Sequence, residues 1–423
     1  MSSPLGRRTP PTVRQNETDV RPNPPPPYIT DQHALESLCR MLRQNSRLAL
    51  DTEFVGEDTF IPRLELIQVA TTTTAAVIDF SAVQAGGSLD VFWELICDAK
   101  IEKIVHAGRQ DLDLFAIHAG QIPKPFFDTQ IAAAMVGYGA QIAYANLVQR
   151  LHGTRLAKAH TFTNWSARPL SDDQIAYALE DVEFLLPIHT HLQDRLKRLG
   201  RSEWVSEEFT RLETVVGEKS RESQDRYQRI RGWDTLKPKG AAMLRELAAW
   251  RETEARRRNV PRGRVMRDEV LLQLARHPPK SVNELRGLRG VHSSDIERHG
   301  AQLLATITSA QTLPPSEWPE VPCERKQDPE STGIVELLQA VLKSRAAEEG
   351  IAPTMLATSA DLQTLIEAKQ DRANLNVPIL QGWRRQLTGD LLLQVLDGTV
   401  TITVDPTSGA LRIAQGNTSK VPS

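Results

Sequence analysis

Cysteine is scarce in this chain of 423 residues: Cys39, Cys97 and Cys323 stand far apart, with no Cys-x-x-Cys pair. That excludes a disulfide framework and a zinc knuckle, and free thiols suit a reducing cytoplasm. Long apolar runs are missing too. Nowhere do about 18 apolar residues follow one another, so no membrane-spanning helix and no membrane partner are expected. Arg7 and Arg8 lead into Thr9, Pro10 and Pro11 rather than an apolar stretch, so a secretory signal is not expected either. A net charge of −2 says little until it is divided along the chain. Residues 221–310 carry 19 Lys and Arg against 11 Asp and Glu, a local surplus that suits a phosphate-rich partner.

What is present points to several domains, because 423 residues exceed one ordinary hydrophobic core. Residues 1–27 are rich in Pro, Arg, Thr and Asn, lack apolar periodicity and are expected to be disordered. Pro24–Pro27 before Tyr28 suits a stiff lead-in or a polyproline ligand. From 28 to 205 short strands alternate with helices, the pattern of an α/β domain. Leu48–Phe54, Leu64–Thr71, Ala76–Phe80 and Lys103–His106 are its strands, the first three forming an antiparallel meander within a mixed sheet. Residues 206–224 are polar and read as a linker.

Between 225 and 310 the spacing of Leu244, Leu247 and Ala248, and again of Val270, Leu271 and Leu274, predicts helices, while Ser281-Val-Asn-Glu284 has the form of a capping box. A second linker, 311–332, holds five prolines. Beyond it, 333–404 forms a smaller helical domain with helices over Ile334–Ala347, Ser359–Glu367 and Ile379–Leu396. Val400–Val404 resembles a short strand, and the tail 405–423 is expected to fray.

Chemistry enters with Arg47-Leu-Ala-Leu-Asp-Thr-Glu-Phe54. Asp51 and Glu53 lie two apart on a strand, so both carboxylates share one face. Like charges so close are tolerated only if solvated, protonated or bridged by a cation, and hard cations take oxygen ligands. Alone, the pair also suits the wet end of a strand. Asp111 falls near a helix start after a strand and glycine, where it would also favour the helix dipole. Tyr177 and Asp181 are four apart on a helix and therefore on one side of it. Asp128 resembles a helix cap more than a further ligand.

Taken in order, these three segments resemble the exonuclease motifs of the DEDD superfamily, and Tyr177 points to its tyrosine-containing branch. Asp51-Thr-Glu-Phe-Val55, Leu66-Ile-Gln68, His106-Ala-Gly108, Asp128-Thr-Gln130, Trp165-Ser-Ala-Arg-Pro-Leu170 and Leu185-Leu-Pro-Ile188 resemble the ribonuclease D family in particular. The resemblance covers about 28–204 and implies a ribonuclease H-like fold. It implies that Asp51, Glu53, Asp111 and Asp181 bind two divalent ions, Mg²⁺ or Mn²⁺, with Tyr177 orienting the attacking water. Nucleoside 5′-monophosphates would then leave from a free RNA 3′ end, with tRNA precursors the implied substrate. His106, Lys158, Trp165 and Arg168 surround this region and could meet RNA, although an aromatic such as Trp165 also suits a core.

The helical segments carry a second resemblance. Trp250-Arg-Glu-Thr-Glu-Ala-Arg256, Val260-Pro-Arg262, Arg267-Asp-Glu269 and Leu285-Arg-Gly-Leu-Arg-Gly-Val291 are similar to the HRDC domain, and Pro378-Ile-Leu-Gln-Gly-Trp-Arg-Arg385 to a second HRDC-like module. The expected architecture is thus an α/β ribonuclease H-like exonuclease domain followed by two all-α HRDC-type domains, in a monomer. Arg256, Arg257, Arg258, Arg262, Arg264 and Arg267 either engage phosphates or form a solvated charged face. A 3′→5′ DNA exonuclease and a catalytically silent RNA-binding scaffold remain the alternatives.

Overall fold

Apolar residues fill both faces of Arg47–Val55, as they do in a strand covered on both sides. The computed structural model, which describes residues 28–156, 163–218, 225–287, 293–321, 329–368 and 372–415, places this strand inside a six-stranded sheet. The strands are β1 (Tyr28–Ile29), β2 (Arg47–Val55), β3 (Arg63–Ala70), β4 (Ala75–Asp79), β5 (Glu102–Val105) and β6 (Phe126–Asp128), in the order β1-β4-β3-β2-β5-β6. β2, β3 and β4 form the expected antiparallel meander. β1 joins β4, β5 joins β2 and β6 joins β5 in parallel, so the sheet is mixed. β1 and β6, of two and three residues, are too short to show a period in sequence.

The pleat sorts the side chains. Leu50, Ile67, Val69 and Ile78 face a core shared with helices Gln32–Leu42, Asp90–Ile96 and Arg109–Ala119. On the other face Ala49, Ala70 and Ile104 meet Thr129–Met135 and Leu185–Arg198, while Leu66 and Val77 meet Asp172–Glu183. Leu48, Leu50, Leu66 and Ile67 are fully buried, each contributing about 1.5–3 kcal/mol relative to exposure. The sheet therefore forms a stiff floor from whose ends the site residues project.

The expected linker 206–224 is instead mostly helix, Ser202–Glu218. Its polar composition conceals Val205, Phe209, Leu212 and Val216 at helical spacing, and Phe209 packs on Phe126 and Phe127 of β6 at 5.7 and 5.2 Å between ring centroids. A separate helical core gathers Tyr227, Leu244, Leu271, Leu285 and Leu303 around the helix Pro238–Arg258. At Ser281 only half of the capping box forms. The Ser281 hydroxyl accepts from Glu284 N at 3.3 Å, but Glu284 Oε2 accepts from Lys280 N at 2.7 Å, one residue early.

The C-terminal region shares a core with the exonuclease sheet: Leu338, Leu342, Leu365, Trp383 and Leu392 join Leu192, Leu196 and Val205. Trp383 stacks on Trp204 at 4.9 Å and donates from Nε1 to Glu208 Oε1 at 3.0 Å, and Arg384 forks onto Glu208. Gly382 takes a left-handed φ of +48°, which favours glycine, and a Cβ there would displace the Glu207 carboxylate that accepts from Trp383 N at 3.2 Å. The segment Pro378–Arg385 is thus the dock onto the helix Ser202–Glu218.

Two further expectations change. Ile379–Leu396 is not one helix but a broken series, Pro378–Leu380, Gly382–Arg384, a π-turn over Arg385–Gly389, and Asp390–Leu396. The region is also not all-α, and the tail does not fray at once. Asp405 accepts from Thr407 N and Ser408 N to turn the chain, and β7 (Val400–Val404) pairs antiparallel with β8 (Leu411–Gln415). No helix among the described residues is long and apolar enough to cross a membrane.

Candidate active site

Three elements bring the acids together. Asp51 and Glu53 occupy the end of β2, where Glu65 is skipped in the pairing with β3 and the resulting bulge bends the strand beside Glu53. Asp111 lies in the first turn of Arg109–Ala119, aimed by a strained corner: Ala107 has φ +54°, and a Cβ on Gly108 would fall 2.4 Å from Val105 Cγ2. Asp128 secures that corner by accepting from Ala107 N at 3.1 Å and Gly108 N at 2.9 Å, while capping its own helix through Gln130 N. Asp181 and Tyr177 come from Asp172–Glu183, whose start carries a full capping box between Ser171 and Gln174.

One carboxylate oxygen from each of Asp51, Glu53 and Asp181 lies within 4.8 Å of the others, a spread that hard cations with ligands at about 2.0–2.6 Å can bridge. Asp111 is buried beside them and accepts a hydrogen bond from Thr52 Oγ1. Burial, reinforced by Asp111, Asp181 and Glu53, holds the Asp51 carboxyl far above the usual range. Burial and then Asp181 and Asp111 push Glu53 up to about 8. Asp181 rises to about 7 through burial and Glu180, and Asp111 to about 6 because burial outweighs its bond to Thr52. Four mutually repelling acids, Asp111 buried and the other three half-buried, fit divalent cations, which offset both the repulsion and the desolvation.

Tyr177 stands one turn before Asp181, its ring stacked on Trp165 at 6.2 Å. Burial and the charges of Asp181, Glu53 and Asp51 push its phenol up to about 12, so it stays protonated at neutral pH. Trp165 is buried and therefore backs Tyr177 rather than presenting an open face. Arg168 pairs with buried Asp79 and donates to Trp165 O at 2.6 Å, fixing the loop that carries the tryptophan. His106 has both ring nitrogens engaged, Nδ1 with Thr129 Oγ1 at 2.9 Å and Nε2 with Ile142 O at 3.0 Å. Lys158 lies outside the described residues.

The arginine set disperses. Arg257 pairs with Glu254, Arg258 reaches His299, and Arg262 forks onto Glu252. Arg264 pairs with Asp58, and the guanidinium groups of Arg256 and Arg262 lie over Phe60 at 5.3 and 4.5 Å, so these three dock the helical domain on the loop after β2. Sequence reasoning missed Thr52, Asp128 as a brace for the Asp111 corner, and Tyr144, whose hydroxyl donates to Glu180 O and accepts from Phe184 N at 3.1 Å each. No local pattern announces them; each acts across a distance in sequence.

Comparison with known proteins agrees with this geometry. A 3′–5′ exonuclease family model matches residues 26–197, and the HRDC domain model matches 241–307. Ribonuclease D of Granulibacter bethesdensis is 38% identical over 390 residues, covering 90% of this chain and 95% of the relative. The chain belongs to the ribonuclease D family. Ribonuclease D of Acidiphilium cryptum is likewise 38% identical over 385 residues, covering 90% of this chain and 95% of that protein. The crystal structure of Escherichia coli RNase D superposes with a TM-score of 0.78 at 31% identity, covering 88% of this chain and 99% of that one.

Proposed function

We propose that this ribonuclease D family member is a 3′→5′ exoribonuclease that releases nucleoside 5′-monophosphates from free RNA 3′ ends, those of tRNA precursors included. The observation that carries the reading is the convergence of half-buried Asp51, Glu53 and Asp181, with buried Asp111 beside them, into a site whose carboxyls are all held above their usual range. Its related E. coli protein is an exoribonuclease involved in structured RNA processing. The four acids would hold two divalent cations, Mg²⁺ or Mn²⁺, which when bound lower the pKa of the attacking water and stabilise the leaving 3′ oxygen.

The chain's own residues do the rest. Tyr177, protonated and braced by Trp165, points a hydroxyl at the acid cluster and orients the water. Thr52 and Asp128 hold Asp111 in place from two sides. For the RNA strand, a cavity of about 400 Å³ lies between the exonuclease and helical domains, lined by Phe54, Phe60, Gln110 and Arg256, with none of the four acids in its walls. Arg226 and Arg262 also line a second cavity of about 520 Å³ that holds Arg229 and Arg267. Neither Arg229 nor Arg267 has an ion pair among the described residues, so these two, rather than the docked Arg256, Arg262 and Arg264, supply the phosphate-binding face.

The C-terminal region acts as a second HRDC-like module that is part of the exonuclease body. One chain carries all five site residues and works as a monomer in the cytoplasm, where Cys39 and Cys97 remain free thiols. The test offers purified protein matched RNA and DNA with single-stranded 3′ tails, in Mg²⁺, Mn²⁺ or chelator, beside Asp51→Asn. RNA should be shortened to monophosphates only with metal and only by the unaltered protein. Shortening of DNA alone would establish the deoxyribonuclease, and shortening of neither would end the enzymatic reading.

A further inference from the structure

Gln68 is fully buried, yet neither the nitrogen nor the oxygen of its carboxamide has a hydrogen-bond partner. Each such atom forfeits the hydrogen bond it would make to water, so an idle glutamine here would be replaced at a gain by an apolar residue. Its place explains why it is there. Gln68 stands directly opposite Asp51 in the β2–β3 register. Cross-strand partners point to the same face with Cβ atoms about 4.5–5.5 Å apart, within reach of a carboxamide. On its other flank β4 offers Val77, which has no polar side-chain atom to compete.

We propose that Gln68 is a positioning residue for Asp51: its Nε2–H group donates to the Asp51 carboxylate when that carboxylate turns onto a divalent cation, and so fixes which oxygen faces the ion. The proposal rests on the metal-dependent function above. An acid at position 68 would add a further negative charge to a site already crowded with four, and an apolar residue would leave Asp51 free to rotate. A neutral donor meets both needs, as outer-shell hydrogen bonds do for metal ligands generally.

The test compares the unaltered protein with Gln68→Met, of similar length but without the amide, and with Gln68→Leu. Mn²⁺ binding is measured by calorimetry, and melting is followed in chelator. Both variants should melt in chelator at or above the temperature of the unaltered protein, while Mn²⁺ affinity falls about 10- to 100-fold. On an RNA tail, kcat should fall with KM unchanged. Mn²⁺ affinity unchanged in both variants overturns the proposal, as does a lower melting temperature of both in chelator, which would give the amide a structural task. An unaltered protein that binds no Mn²⁺ removes the functional reading along with this one, so the two failures are told apart.

Discussion

Thr52 donates a hydrogen bond from Oγ1 to Asp111 Oδ1, tying the residue between Asp51 and Glu53 to the acid carried by a different element. Thr52 points to the opposite face of β2 from its two neighbours, so one strand holds acids on one side and braces a third from the other. Thr52→Val keeps the shape and removes the bond. Mn²⁺ affinity measured by calorimetry should fall about 10-fold or more, with far-UV circular dichroism unchanged. Equal affinity would mean that Asp111 needs no brace.

Acid and metal act on one set of groups. Asp111, Asp181 and Glu53 have folded carboxyls raised to about 6, 7 and 8, above their unfolded values, so their stabilising contribution in metal-free protein is complete below about pH 4 and is lost as pH rises through those values. Melting in chelator should therefore fall from pH 6 to pH 8.5, and the rise produced by saturating Mg²⁺ should be larger at pH 8.5. Equal Mg²⁺ shifts at both pH values would contradict the linkage.

Tyr177→Phe keeps the ring on Trp165 and removes the hydroxyl. Single-turnover rates should drop about 10- to 100-fold while the RNA dissociation constant stays within about twofold. Because the phenol is pushed up to about 12, the pH profile of the unaltered protein should show no ionisation of Tyr177 below pH 10. A change confined to RNA binding would reassign the residue.

Arg229 and Arg267 differ from Arg226, Arg251 and Arg262, which line the same cavity, in lacking an ion-pair partner among the described residues. Exchanging both for alanine in an Asp51→Asn background should weaken binding of a ten-nucleotide RNA and lower the slope of log K against log salt by about 1–2. An unchanged slope would place the strand elsewhere.

Gly382→Ala forces a Cβ into Glu207 at a left-handed backbone position. The clash should cost about 1–3 kcal/mol in urea denaturation and speed proteolysis within 329–415. Wild-type resistance to protease would show that the C-terminal region is held by other contacts.

Much of the chemistry was legible without coordinates. Asp51-Thr-Glu53 exposes its shared face through strand alternation, and Tyr177 and Asp181 expose theirs through the helical repeat, because both periods are local properties of the backbone. The meander of β2, β3 and β4 followed for the same reason, since short turns leave neighbouring strands little choice. Residues 206–224 read as a linker in sequence because most of them are polar, and only contact with β6 and Trp383 gives the narrow apolar stripe of the helix Ser202–Glu218 a purpose.

Sequence, through its motifs and the resemblance they carry, therefore singled out the acids proposed for the centre, their order, and the class of reaction they suit. Tertiary structure alone decided their support: Thr52 and Asp128 on Asp111, Trp165 behind Tyr177, and Gln68 opposite Asp51. It also turned Arg257, Arg262 and Arg264 to ion pairs, two of them local and one across to Asp58. The division has one cause: motif spacing reports what neighbours along the chain share, whereas burial, repulsion and hydrogen-bond satisfaction depend on groups that meet only once the chain has folded.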